Sequence, residues 1–176
     1  MLSGKSNVWE ISGTMRQEDL NNRLDQGIKI ECGDKYLTLY GQHYGVVAIS
    51  HDRGWNNAWT HNNRREGYDF IIENNANYHE FFKNPDVANN ILRTKTTIDY
   101  TIKIVNDTVY GWFDDVLIWK INLTDTYFGA FEAGSTYKVS LMMNKEAYAA
   151  SFENVKVLKG TQVDPEISVS EILGNP

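Results

Sequence analysis

The sequence predicts an all-β fold: an antiparallel β-sandwich of the jelly-roll kind with one or two short helices. Three observations carry that expectation. Apolar residues recur at every second position over long stretches, turn-forming residues separate those stretches, and no helical pattern is long enough to cover a sheet. A sheet with one apolar face and no helices to cover it must bury that face against a second sheet.

The alternation is clearest where Ile98, Tyr100, Ile102 and Ile104 interleave with Thr97, Asp99, Thr101 and Lys103. Tyr137, Val139, Leu141 and Met143 repeat it against Lys138, Ser140 and Met142. Residues 8–13, 28–32, 36–40, 46–50 and 68–73 read as earlier strands, and 108–113, 116–122, 128–132 and 149–158 as later ones. Gly33-Asp34-Lys35, Asn106-Asp107 and Asp114-Asp115 supply turn chemistry between neighbouring strands. Residues 17–25 suit a turn or two of helix, and 85–92 a short helix with Pro85 near its first position. Residues 42–90 differ in kind: they are crowded with Asn, His, Arg and aromatics and hold the longest breaks in the strand pattern. Long excursions of that sort from a sandwich are where function usually sits.

A chain of 176 residues suits one domain. We place it at residues 1–160, with 161–176 as a linker or tail, because the composition changes abruptly over Lys159-Gly160-Thr161-Gln162-Val163-Asp164-Pro165-Glu166. A net charge of −6 disfavours nucleic acid and anionic membrane surfaces, both of which need clustered Lys and Arg. No stretch approaches the ~18 apolar residues of a membrane span, and Met1 to Asn7 contain no apolar signal-peptide core. The expectation is a monomeric module cut from a longer secreted or surface-attached protein, hence extracellular. Cys32 is the sole cysteine, so no intrachain disulfide forms and a Cys-based zinc site lacks ligands; it reads as a small buried strand hydrophobe.

Three stretches resemble a known family: the hairpin Thr101-Ile102-Lys103-Ile104-Val105-Asn106-Asp107-Thr108-Val109-Tyr110-Gly111-Trp112-Phe113-Asp114-Asp115-Val116-Leu117-Ile118, the strand Tyr137-Lys138-Val139-Ser140-Leu141, and the closing strand Ala149-Ala150-Ser151-Phe152-Glu153-Asn154-Val155-Lys156-Val157. They resemble the concanavalin A-like jelly rolls, in the group of laminin-G-like and bacterial glycan-binding or glycosidase-associated domains. The resemblance covers residues 97–158 and extends to the first half through strand rhythm alone. It implies the sandwich fold. Lectins, glycan-binding modules, adhesins and glycoside hydrolases share that fold, so the resemblance specifies architecture better than activity. The hydrolase pattern Glu-x-Asp-x-x-Glu is missing; Glu66 with Asp69, and Asp114-Asp115, come nearest.

The leading binding candidate is Gly54-Trp55-Asn56-Asn57-Ala58-Trp59-Thr60-His61-Asn62-Asn63-Arg64-Arg65. Two tryptophans four apart in a polar segment are hard to bury together, and exposed indole faces pack on the C–H surfaces of sugars. Tyr44, Arg53, Asn57, His61 and Asn63 add the placed polar groups that orient a hydroxyl-rich ligand. The competing reading has Trp55 or Trp59 plugging the sandwich end. Trp9, Trp112 and Trp119 lie in strand patterns and read as packing residues; Trp112 is the doubtful one, because Gly111 before it lets something approach the backbone closely.

His43, His51, His61 and His79 lack the spacing of a transition-metal motif. No cofactor is expected. The one metal for which the composition leaves room is a structural calcium held by loop Asp and Asn oxygens, although no Asp-x-Asp-x-Asp-Gly series occurs. No catalytic residues are assigned: Asp114, Asp115, Glu66, Asp69 and Glu73 read as solvated charges, and no Gly-x-Ser-x-Gly occurs. The expected function is a non-catalytic carbohydrate-binding module, with a lean towards α-glucans such as starch or maltooligosaccharide. The alternatives are a jelly-roll glycoside hydrolase and a protein-binding adhesin domain.

Overall fold

The computed structural model describes residues 2–3, 8–17, 26–42, 46–51, 59–60, 78–126, 128–130, 136–143 and 150–159. The strands among them are β1 (Leu2–Ser3), β2 (Val8–Gln17), β3 (Gln26–Cys32), β4 (Lys35–Gln42), β5 (Val46–His51), β6 (Trp59–Thr60), β7 (Thr97–Val105), β8 (Thr108–Phe113), β9 (Val116–Asn122), β10 (Thr136–Met143) and β11 (Ala150–Lys159). One helix, α1 (Pro85–Thr94), precedes β7.

All pairings are antiparallel and form two sheets, a six-stranded one ordered β1-β10-β3-β4-β5-β6 and a five-stranded one ordered β11-β2-β7-β8-β9. Strand β2 pairs with β11 in one sheet and β3 with β10 in the other, so two antiparallel lengths of chain pass together from sheet to sheet. That nesting makes the sandwich a jelly roll. The period-two residues decide which faces meet. Ile28, Ile30, Leu37, Leu39 and Ile49 of one sheet share a single core with Ile11, Ile98, Tyr100, Ile102, Ile104 and Trp119 of the other.

The hairpins follow from their turn residues. Asp114 and Asp115 both adopt positive φ, 44° and 66°, as a two-residue turn of the type whose twist matches paired strands requires. Asn106 (φ 52°) and Gly33 (φ 62°) serve the neighbouring corners.

Helix α1 lies against β5 and β9 and closes that side of the sandwich. Its buried face is Ala88, Asn89, Ile91 and Leu92. Leu92 occupies the space where a Cβ on Gly41 of β4 would stand, 2.6 Å from its Cδ2. Both helix ends are tied to strands. Asn84 Nδ2 donates to the Leu117 carbonyl (3.0 Å), and the Lys83 N–H donates to that of Ile118 (2.6 Å). Gln17 Nε2 donates to the Leu92 and Lys95 carbonyls, satisfying groups that a helix C-terminus leaves without partners.

The strand reading departs from the structure in a few places. Residues 128–130 are not a strand: Gly129 turns the chain at φ 72°, and its N–H donates to the Thr126 carbonyl. Gln17 ends β2 rather than opening a helix, and 18–25 and the expected strand 68–73 lie outside the described residues. Cys32 is half-buried against the core rather than within it. Leu141 is 39% exposed although it stands in register with Ile28, which is buried.

Candidate functional site

Of the candidate ligand residues, Tyr44, Arg53, Trp55, Asn57, His61 and Asn63 lie outside the described residues. Trp59 is in β6, the two-residue strand at the margin of the six-stranded sheet, where its backbone pairs with Ile49. Trp9 and Trp119 are core residues, as their strand positions predict, at 5% and 1% exposure.

Trp112 is not. Along β8, Val109, Gly111 and Phe113 are buried while Thr108, Tyr110 and Trp112 are half-buried on the opposite, outer face. The close approach that Gly111 permits comes from within. A Cβ there would stand 2.6 Å from Cε3 of Trp119, whose indole meets the Phe113 ring edge to face at 5.1 Å. Strand parity was the available signal: Trp112 shares a face with Tyr110 and Thr108, not with Val109 and Phe113.

On that outer face Tyr110 and Trp112 form an aromatic pair, with centroids 6.1 Å apart and planes 19° from parallel. Register sets a row around it. Glu10 of β2 stands opposite Lys103 of β7, Lys103 opposite Tyr110, and Tyr110 opposite Lys120 of β9. Lys103 Nζ pairs with Glu10 Oε2 at 3.5 Å and lies 6.0 Å from the Trp112 ring centroid; Lys120 Nζ lies 5.8 Å from that of Tyr110. Burial pushes the Tyr110 hydroxyl above its ordinary pKa, an effect opposed by its hydrogen bond with Thr108. Chemically the face offers two apolar ring surfaces beside an ammonium donor and a carboxylate acceptor, the combination that a ring bearing both C–H and hydroxyl groups can use.

Of the acidic candidates, Asp114 is engaged in folding. Asp114 Oδ1 accepts from the Asp99 N–H (2.9 Å), Asp114 Oδ2 pairs with Lys95 Nζ (2.6 Å), and the Asp114 N–H donates to the Asp99 carbonyl (2.8 Å). Thr14 Oγ1 donates to Asp99 Oδ1 (2.8 Å). Asp115 is exposed at the turn, and Glu66, Asp69 and Glu73 lie outside the described residues. Among the described residues no three of His, Cys, Asp and Glu stand together as a metal cage, and no helix is long and apolar enough to cross a membrane.

No protein-family model matches the chain, and no curated protein matches it in sequence. Among solved structures it is similar to domains LG4-5 of the mouse laminin alpha1 chain, at 9% identity with a TM-score of 0.37. That match covers 85% of this chain and 41% of the laminin one, so this chain spans less than half the length of its structural neighbour.

Proposed function

We propose that this chain is a non-catalytic carbohydrate-binding module of a larger secreted or cell-surface bacterial protein, and that its ligand is an α-glucan such as starch or maltooligosaccharide. The observation that supports it is the composition of the Trp55–Trp59 segment. Its two tryptophans stand among Asn, His and Arg in the sequence, and among the described residues Trp59 belongs to β6, which ends the six-stranded sheet. Indole faces supply apolar contact to sugar rings, and Tyr44, Arg53, Asn57, His61 and Asn63 supply hydrogen bonds to hydroxyls. A curved glucan suits an aromatic pair set at an angle, and a net charge of −6 opposes polyanionic glycans. The non-catalytic reading is supported by Asp114, a candidate acid whose carboxylate is occupied by Lys95 and the Asp99 backbone.

Affinity electrophoresis through gels containing soluble polysaccharides tests the proposal. The native protein is retarded by starch, whereas Trp55→Ala and Trp59→Ala run freely, with affinity reduced roughly tenfold or more and thermal stability kept. Release of reducing sugar would establish the hydrolase reading instead. Retardation by no glycan would refute the proposal and favour a protein-binding adhesin domain.

A further inference from the structure

We infer that the outer face of the five-stranded sheet is a second sugar-binding surface, on which Tyr110 and Trp112 carry neighbouring rings of a neutral polysaccharide chain. It shares with the proposal above only the class of ligand. Trp59 belongs to β6 of the other sheet, and Tyr110 and Trp112 belong to β8.

The way β8 distributes its side chains carries the inference. At positions 111 and 112 the strand turns a glycine towards the core and its largest residue, half-buried, towards the outer face. The core at that point is filled from β9 by Trp119, so the bulk of Trp112 serves no interior packing. Cross-strand contacts account for part of the arrangement, since aromatic and cation–π pairs on a sheet face stabilise it. Yet the lysine nitrogens stand 5.8 and 6.0 Å from the ring centroids, at the outer limit of about 6 Å for that attraction. The near-parallel rings, 6.1 Å apart along one strand, form one continuous aromatic patch on that face. The Glu10–Lys103 pair beside them presents an acceptor and a donor together, as hydroxyl groups require, and the net charge of −6 disfavours a polyanion. Two surfaces engaging one polymer would raise avidity without any new contact at either.

The test is a ¹H–¹⁵N titration of the whole chain that follows its five tryptophan indole signals, with that of Trp112 assigned by its loss in Trp112→Phe. The probes are maltoheptaose, cello-oligosaccharide, xylo-oligosaccharide and, as an acidic comparison, oligogalacturonate. The Trp112 signal shifts with a neutral probe, and Trp112→Ala and Tyr110→Ala weaken that binding roughly tenfold. Thr101→Arg does the same without removing a ring. Thr101 stands opposite Trp112 in the register, and a longer side chain there covers the indole while the core is left as it was.

If a sugar binds, the Trp112 signal stays fixed and Thr101→Arg binds as the native chain does, the inference is overturned. The Trp55–Trp59 proposal then stands if Trp55→Ala and Trp59→Ala lose that binding. The reverse pattern overturns that proposal and keeps this one. A shift with oligogalacturonate alone refutes the neutral ligand, and no shift with any probe overturns the inference entirely.

Discussion

Replacing Gly111 by alanine perturbs the point where core and outer face meet. The added methyl would stand 2.6 Å from Cε3 of Trp119 and 2.9 Å from Cδ1 of Ile102, both well inside van der Waals contact. The Ile102 methyl is the end of a flexible side chain and can yield. The indole cannot readily do so: Trp119 is 1% exposed, set edge to face against Phe113, and bridged through its backbone to Phe82. Overpacking of this kind costs about 1–3 kcal/mol. Replacing a strand glycine by alanine returns about 0.5–1 kcal/mol of chain entropy. The net loss should be roughly 1–2 kcal/mol, and at ~2–4 °C per kcal/mol for a domain of this size the melting temperature should fall by roughly 2–8 °C. Calorimetry or a urea titration measures it. In a double-mutant cycle with Trp119→Phe, which removes the benzo ring carrying Cε3, the two substitutions should couple by about 1 kcal/mol or more. An unchanged or raised melting temperature for Gly111→Ala, or strict additivity in the cycle, would refute the packing assigned to Trp119.

Two further predictions concern other parts of the frame. The Tyr100 hydroxyl is buried with no hydrogen-bond partner among the described residues, so Tyr100→Phe should stabilise the fold by about 1 kcal/mol; a loss on chemical denaturation would show the hydroxyl to be satisfied. Desolvation raises its pKa from 10.0 to about 12, so the folded chain keeps a proton that the unfolded chain releases. Stability should therefore fall as pH rises between those values, and the Phe variant should lose that part of the alkaline slope. Asp114→Ala places an alanine at φ 44° and deletes the acceptor for the Asp99 N–H, at a cost of about 1–2 kcal/mol, while Asp114→Asn, which tolerates that φ and keeps an acceptor, should cost less. Lys95 is half-exposed, so its ion pair adds little. Equal urea midpoints for the two variants would refute the turn's dependence on that side chain.

Period-two alternation was enough to read the central hairpins, because a side chain's face in a strand depends only on parity, a local property. It also placed Trp9 and Trp119 in the core, while Pro85 near a first helical position placed α1 close to its actual bounds. The same rule held the signal for Trp112, whose parity with Tyr110 puts both on the outer face; its place in a strand pattern alone, without parity, read as packing.

The sequence by itself determined the fold class, the turns at Gly33, Asn106 and Asp114-Asp115 and the absence of a disulfide frame, since each depends on residue type and short-range spacing. Only the tertiary structure decided which strands nest, that Gly111 makes room for Trp119, that Asp114 is bound to Lys95 and Asp99, and that Glu10, Lys103, Tyr110 and Lys120 form one row across four strands. The physical reason is register. Residues as far apart in the chain as Glu10 and Lys120 become neighbours through the hydrogen-bonded ladders of two intervening strands, and pairing over such distances is set by the whole core at once, leaving no mark in any local pattern.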